Sequence, residues 1–141
     1  MLDQLVVPRV DVPRALTLQV TATAEATVVT VRGDVDLAVL GRLRRRLGEE
    51  LDLGPRALVL DLADVGFCGA GGLTELLVAA SEAHVSGVAF AIATERRAVL
   101  RPVRLLGLEH VLPIHRSVGA ALEWLAVLPR LRAGEGRGRD R

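Results

Sequence analysis

Residues 57–80 read ALVLDLADVGFCGAGGLTELLVAA, and this stretch decides the fold. Leu58-Val59-Leu60-Asp61-Leu62 is a nearly continuous apolar run of strand length, broken only by Asp61. Such a run predicts a strand covered on both faces, at the centre of a sheet. Gly69-Ala70-Gly71-Gly72 makes a tight turn, after which Leu73, Leu76, Leu77 and Ala80 recur at helical spacing. The period changes from continuous to helical across the turn, the signature of a strand–turn–helix unit. The unit predicts a strand over 57–62 and a helix from about Gly71 to Val85, ended by Gly87. A turn at a helix N-terminus presents unpaired backbone N–H groups. This one carries no hydroxyl, carboxylate or histidine of its own.

Upstream, Leu16 to Thr21 alternates apolar and polar, and Val28-Val29-Thr30-Val31 is β-branched. The two predict an antiparallel hairpin. Gly33-Asp34-Val35-Asp36 is expected to break the second strand, with Asp34 or Asp36 capping the helix that follows. Leu40, Leu43, Leu47 and Leu51 mark the inner stripe of that helix, and Gly54-Pro55 stops it. The cluster Arg42, Arg44, Arg45 and Arg46, with Glu49 and Glu50 nearby, reads as its solvated face.

Downstream, Val88 to Ala93 is a second buried strand and the βαβ partner of the first. Thr94 opens a third helix, Glu95 to Leu106, where Pro102 predicts a kink or a late start. Val111-Leu112-Pro113-Ile114 is a short edge strand. Ser117 caps a last helix whose Val118, Ala121, Leu122 and Leu125 face inward. The whole reads as one α/β domain over 14–128. An N-terminal arm over 1–13 holds Pro8 and Pro13 at its end, and a disordered Arg/Gly-rich tail covers 129–141.

Composition narrows the function. Aromatics are limited to Phe67, Phe90 and Trp124, too few for a platform that stacks nucleic-acid bases. The net charge of +1 gives no strong field for polyanions. All 18 basic residues are Arg, a coding bias that fits a GC-rich bacterial genome. Cys68 is the one cysteine, which excludes an internal disulfide and a cysteine metal cluster and fits a cytoplasmic protein. The N-terminus has no signal-peptide pattern, and no segment approaches the roughly 18 uncharged apolar residues of a membrane span. His84, His110 and His115 lack metal-ligand spacing, no Gly-Lys-Ser/Thr follows the glycine turn, and no nucleophile–base pair is visible. These absences argue against an enzyme and against a bound cofactor.

The order β-β-α-β-α-β-α-β-α resembles the STAS domain, shared by sulfate transporters and anti-sigma factor antagonists. VVTVRGDVDLAVLGRLRRRL resembles the family's strand, its acidic turn and its first helix. Residues 57–80 resemble its strand, switch loop and second helix, and AVLRPVRLLGLEHVLPIHRSVGAAL its last third. The resemblance implies a small mixed sheet with about four helices, packed mainly on one face. In the antagonist branch it further implies docking to an anti-sigma factor that is also a GHKL-type serine kinase, and phosphorylation of a Ser in the switch loop.

Aligning Phe67 and Gly72-Leu73 places Gly69 at the family's Asp and Ala70 at its Ser. The loop is therefore kept without its acceptor hydroxyl. Two readings stay open: a permanently binding-competent antagonist, or a domain that keeps the fold and has lost this partner. By resemblance the partner-binding residues are Asp34, Asp36, Gly69, Ala70, Gly71, Gly72, Leu73 and Thr74. Thr74 is a remote substitute acceptor, better read as a helix residue bonding locally. Cys68 reads as a small buried hydrophobe. A scaffold or a nucleotide- or lipid-sensing module is the alternative function; an apolar pocket lined by polar groups would favour it.

Overall fold

The computed structural model describes residues 15–139, excluding the side chains of Phe67 and of residues 129–139. The arm expected over 1–13 lies outside the described residues. Strands β1 (Thr17–Ala22), β2 (Thr27–Val35), β3 (Ala57–Cys68), β4 (Ala89–Ala93) and β5 (Ile114–His115) form one sheet in sequence order. β1 and β2 pair antiparallel as the expected hairpin, and every later pairing is parallel. Helices α1 (Leu40–Asp52), α2 (Ala70–Ser86) and α3 (Arg97–Leu105) make the crossovers, and α4 (Val118–Arg139) follows β5. A 3-10 turn, Leu37–Val39, leads into α1.

Side-chain alternation along the strands divides the core between two faces. Val29, Val31, Leu58, Leu60, Phe90 and Ile92 face Leu43 and Leu47 of α1, Leu76 and Ala83 of α2, and Val99 and Val103 of α3. The opposite face offers Ala57, Val59, Ala91 and Ala93 to Ala121 and Leu125 of α4. Three helices thus cover one face and one covers the other, as expected of helices packed mainly on one side. Each large aliphatic side chain buried here contributes about 1.5–3 kcal/mol.

Several expectations are corrected. Residues 33–35 do not break β2, which runs on to Val35. Register shifts at Thr30/Arg32 and Gly33/Asp34 absorb the irregularity, with Gly33 at φ +106°. β3 continues to Cys68 instead of ending at Leu62. Its extension is held from the β4–α3 connection, where the Thr94 hydroxyl donates to the Leu62 carbonyl at 3.1 Å and Arg96 donates to that of Ala63 at 3.0 Å.

α3 starts late, at Arg97, and Thr94 bonds the Arg96 N–H without capping the helix directly. β5 is only two residues long and begins after Pro113. In α2 the buried apolar side chains are Leu73, Leu76, Ala79 and Ala83, while Leu77 and Ala80 are half-buried. In α4 Leu122 is exposed, and Trp124 packs against the core in its place. Ser117 does cap α4, accepting from the Ala120 N–H at 3.0 Å, and Gly87 (φ +75°) does end α2. α4 carries helical backbone through residues 129–139, where composition predicts disorder. Extending an existing helix needs no new nucleus.

Candidate functional site

The carboxyl ends of the parallel strands β2 and β3 lie side by side, with Asp34 opposite Phe67 and Val35 opposite Cys68. Each chain then turns out of the sheet. β2 leads through Asp36 into the 3-10 turn; β3 leads through Gly69 into α2. The Gly69 N–H donates to the Val35 carbonyl at 3.3 Å and ties the two turns together. Between them lies an open groove of about 550 Å³. Leu37, Ala38 and Leu40 form one wall and Gly69 to Gly72 the other, with Val35 and Asp36 at the base. Its surface is mainly apolar.

The two inner glycines sit in close approach to their neighbours. A Cβ on Gly72 would lie 2.9 Å from Cys68 Sγ and 3.0 Å from Val35 Cγ1; one on Gly71 would lie 2.5 Å from Leu40 Cδ1. Small residues therefore let α2 begin directly against β2 and α1. Ala70 is exposed on the outer lip, and no side chain caps α2. Asp36 caps the 3-10 turn, accepting from the Ala38 N–H at 3.0 Å, so the sequence's capping alternatives resolve in its favour. Asp34 sits within β2, half-buried.

Leu73, expected among the contact residues, is 3 % exposed and packs into the core, because the fourth residue of α2 points at the sheet. The Thr74 hydroxyl donates to the Ala70 carbonyl at 3.1 Å, the local bond expected of it. Cys68 is buried under the turn, and burial pushes its thiol up to about 11. It is a protonated packing residue at neutral pH, not a redox nucleophile.

Two features escaped sequence reading. Leu37 is 82 % exposed on the groove rim. Its signal was an apolar stripe (Leu37, Leu40, Leu43) that begins one turn before the helix; 3-10 geometry rotates that first position outward. The second is a clamp between the helices behind the groove. Glu75, 4 % exposed, accepts from Arg44 Nε at 3.0 Å and from Arg44 Nη2 as well. Glu75's hydrogen bond, and secondarily its charge, push the guanidinium's pKa further up. Arg44 is thus more than a solvated residue, as is Arg42, which donates to the Leu16 carbonyl at 2.9 Å. A carboxylate three residues after Gly72 and four before Ala79, on the buried stripe, was the available sign of the clamp.

Among the described residues no group of three or more His, Cys, Asp or Glu could hold a metal ion. None of their helices is long and apolar enough to cross a membrane.

A five-stranded sheet with α2 springing from a small-residue turn defines a class, and comparison agrees. The family model described as "Mlab, STAS domain" matches residues 18–114, and the chain belongs to the STAS domain family. It is 31 % identical over 110 residues to the anti-sigma-F factor antagonist RsfB of Mycobacterium tuberculosis, covering 78 % of this chain and 89 % of that protein. The crystal structure of an anti-sigma factor antagonist from Mycobacterium paratuberculosis superposes with a TM-score of 0.72 at 28 % identity, over 79 % of this chain and 95 % of the other. The Bacillus antagonist SpoIIAA, in its unphosphorylated form, shares the fold with a TM-score of 0.66 at 14 % identity, over 81 % and 98 %. These relatives are anti-sigma factor antagonists by name.

Proposed function

We propose that this chain is an anti-sigma factor antagonist that acts by binding. It docks a GHKL-type serine-kinase anti-sigma factor in the cytoplasm and so frees a sigma factor. The groove between the 3-10 turn and the start of α2 is the observation that carries the reading. It presents an apolar, small-residue wall at Gly69 to Gly72, an exposed leucine at Leu37, and the carboxylate of Asp36 at its base. Such a surface suits a partner element that inserts an apolar side chain and lays its backbone close to the glycines. Asp34 and Thr74 belong to the proposed surface by proximity in sequence; Leu73 supports it from the core.

Ala70 stands on the outer lip with no hydroxyl, so a phosphate's roughly two negative charges cannot be added there to repel the partner. The antagonist is permanently competent to bind, and control falls to its amount or to its partner. Calorimetric titration against each GHKL-type anti-sigma kinase of the source genome tests this. Binding to one of them supports the proposal, and binding to none removes it. After incubation with that kinase and ATP, mass spectrometry should find the peptide over 66–76 unmodified.

A further inference from the structure

A second cavity lies away from the groove, beyond the carboxyl ends of β4 and β5. Its volume is about 400 Å³, within the range of small-molecule pockets. Val103 and Leu112, 1 % and 0 % exposed, are among the aliphatic residues of its lining. Four charged residues also line it: Glu95 after β4, Arg104 on α3, Glu109 in the corner after α3, and Arg116 after β5. Among the described residues none of these four forms an ion pair. His115 lines it too, its ring against Trp124 with centroids 4.8 Å apart; its Nε2 is buried and has no hydrogen-bond partner.

From this lining we infer that the cavity between α3 and β5 binds a small zwitterion with an aliphatic body, of amino-acid to dipeptide size. The charges decide the class. A simple anion would meet Arg104 and Arg116 but also the carboxylates of Glu95 and Glu109. A simple cation would meet the reverse. A ligand carrying both a carboxylate and an ammonium satisfies both pairs, and its aliphatic part covers Val103 and Leu112. The carboxylate suits a planar guanidinium donor in particular. This site is separate from the groove and does not depend on any anti-sigma partner.

The test is NMR titration of the 15N-labelled full chain with L-leucyl-L-leucine, its N-acetyl form and its methyl ester. Saturable shifts from the free dipeptide should centre on residues 94–95, 104, 109 and 115–116. Each capped analogue should bind at least about tenfold more weakly. The variant Arg104→Gln/Arg116→Gln should weaken the free dipeptide similarly, while the methyl ester, which has no carboxylate for the guanidiniums and is repelled by them, should bind no more weakly than before. Shifts absent at millimolar dipeptide, shifts centred on residues 69–74, or equal binding of the capped forms would each overturn the inference. The analogue comparison uses the unaltered chain, so it decides the matter even if the variant unfolds.

Discussion

Replacing Gly71 by alanine should separate the stability of the fold from the fitness of the groove. The added Cβ would lie 2.5 Å from Leu40 Cδ1 and 3.3 Å from Leu37 Cδ2, both free ends of flexible side chains. Turning Leu40 off its preferred rotamer costs about 0.5–1.5 kcal/mol. Alanine in place of glycine in a helix returns about 0.8–1.0 kcal/mol. The two nearly cancel, so Tm should move by no more than about 4 °C. The displaced leucine and the new methyl now occupy space a partner would fill. Overpacking of a fitted surface costs about 1–3 kcal/mol, roughly a fivefold to hundredfold rise in Kd.

Gly72→Ala is the control. Its Cβ meets Cys68 Sγ at 2.9 Å and Val35 Cγ1 at 3.0 Å, both on buried residues that cannot move aside. That variant should lose up to about 2 kcal/mol of stability after the helix gain is subtracted, or roughly 8 °C in Tm. Thermal melts and interferometric binding to the anti-sigma factor read both quantities. The reasoning fails if Gly71→Ala unfolds the chain as much as Gly72→Ala does, or if it binds as tightly as the parent.

Three other outcomes are expected. Ala70→Ser should restore an acceptor: it should bind like the parent without ATP, then gain a phosphate and lose affinity when kinase and ATP are present, read by mass spectrometry and calorimetry. Arg44→Ala leaves the Glu75 carboxylate buried without its partner, so it should destabilise the chain more than Glu75→Gln does in urea denaturation, and the double variant should lose less than the sum. Cys68 should make stability fall in alkali. Its thiol ionises near 9.0 when unfolded and near 11 when folded, so stability is complete below pH 9 and drops by roughly 2–3 kcal/mol by pH 11. The sequence has no Lys and no Tyr, so this loss should vanish in Cys68→Ala, measured by urea denaturation at pH 8 and pH 11.

Local rules explain why much of this was legible in the chain and some was not. The switch from a continuous apolar run to helical spacing at Gly69–Gly72 located β3 and α2, because strand and helix periods depend on local geometry alone. Ser117 starts α4 and Gly87 ends α2 as their local sequence indicates, since capping is a contact between near neighbours. Long-range contacts were not legible. β3 runs past Leu62 because Thr94 and Arg96 hold Leu62 and Ala63 from another part of the chain. β2 runs through Gly33 because β3 stays beside it. The spacing of Leu122 predicts an inward position, but the alanine face of the sheet draws in Ala121, Trp124 and Leu125 instead. At the site, the small residues of the turn were visible; the opposite wall of Leu37, Ala38 and Leu40 emerged only once α1 was set beside α2. The Arg44–Glu75 clamp spans 31 positions and lies beyond any local pattern.

The groove's role is tested most directly by mapping the complex. The 15N-labelled chain should be titrated with the anti-sigma kinase it binds, in the presence of ATP, and followed by amide shifts and line broadening. The account predicts that the largest effects fall on residues 35–40 and 69–74 and persist over time with ATP present. Effects centred on β1 or α4, or a complex that dissolves as ATP is consumed, would contradict it.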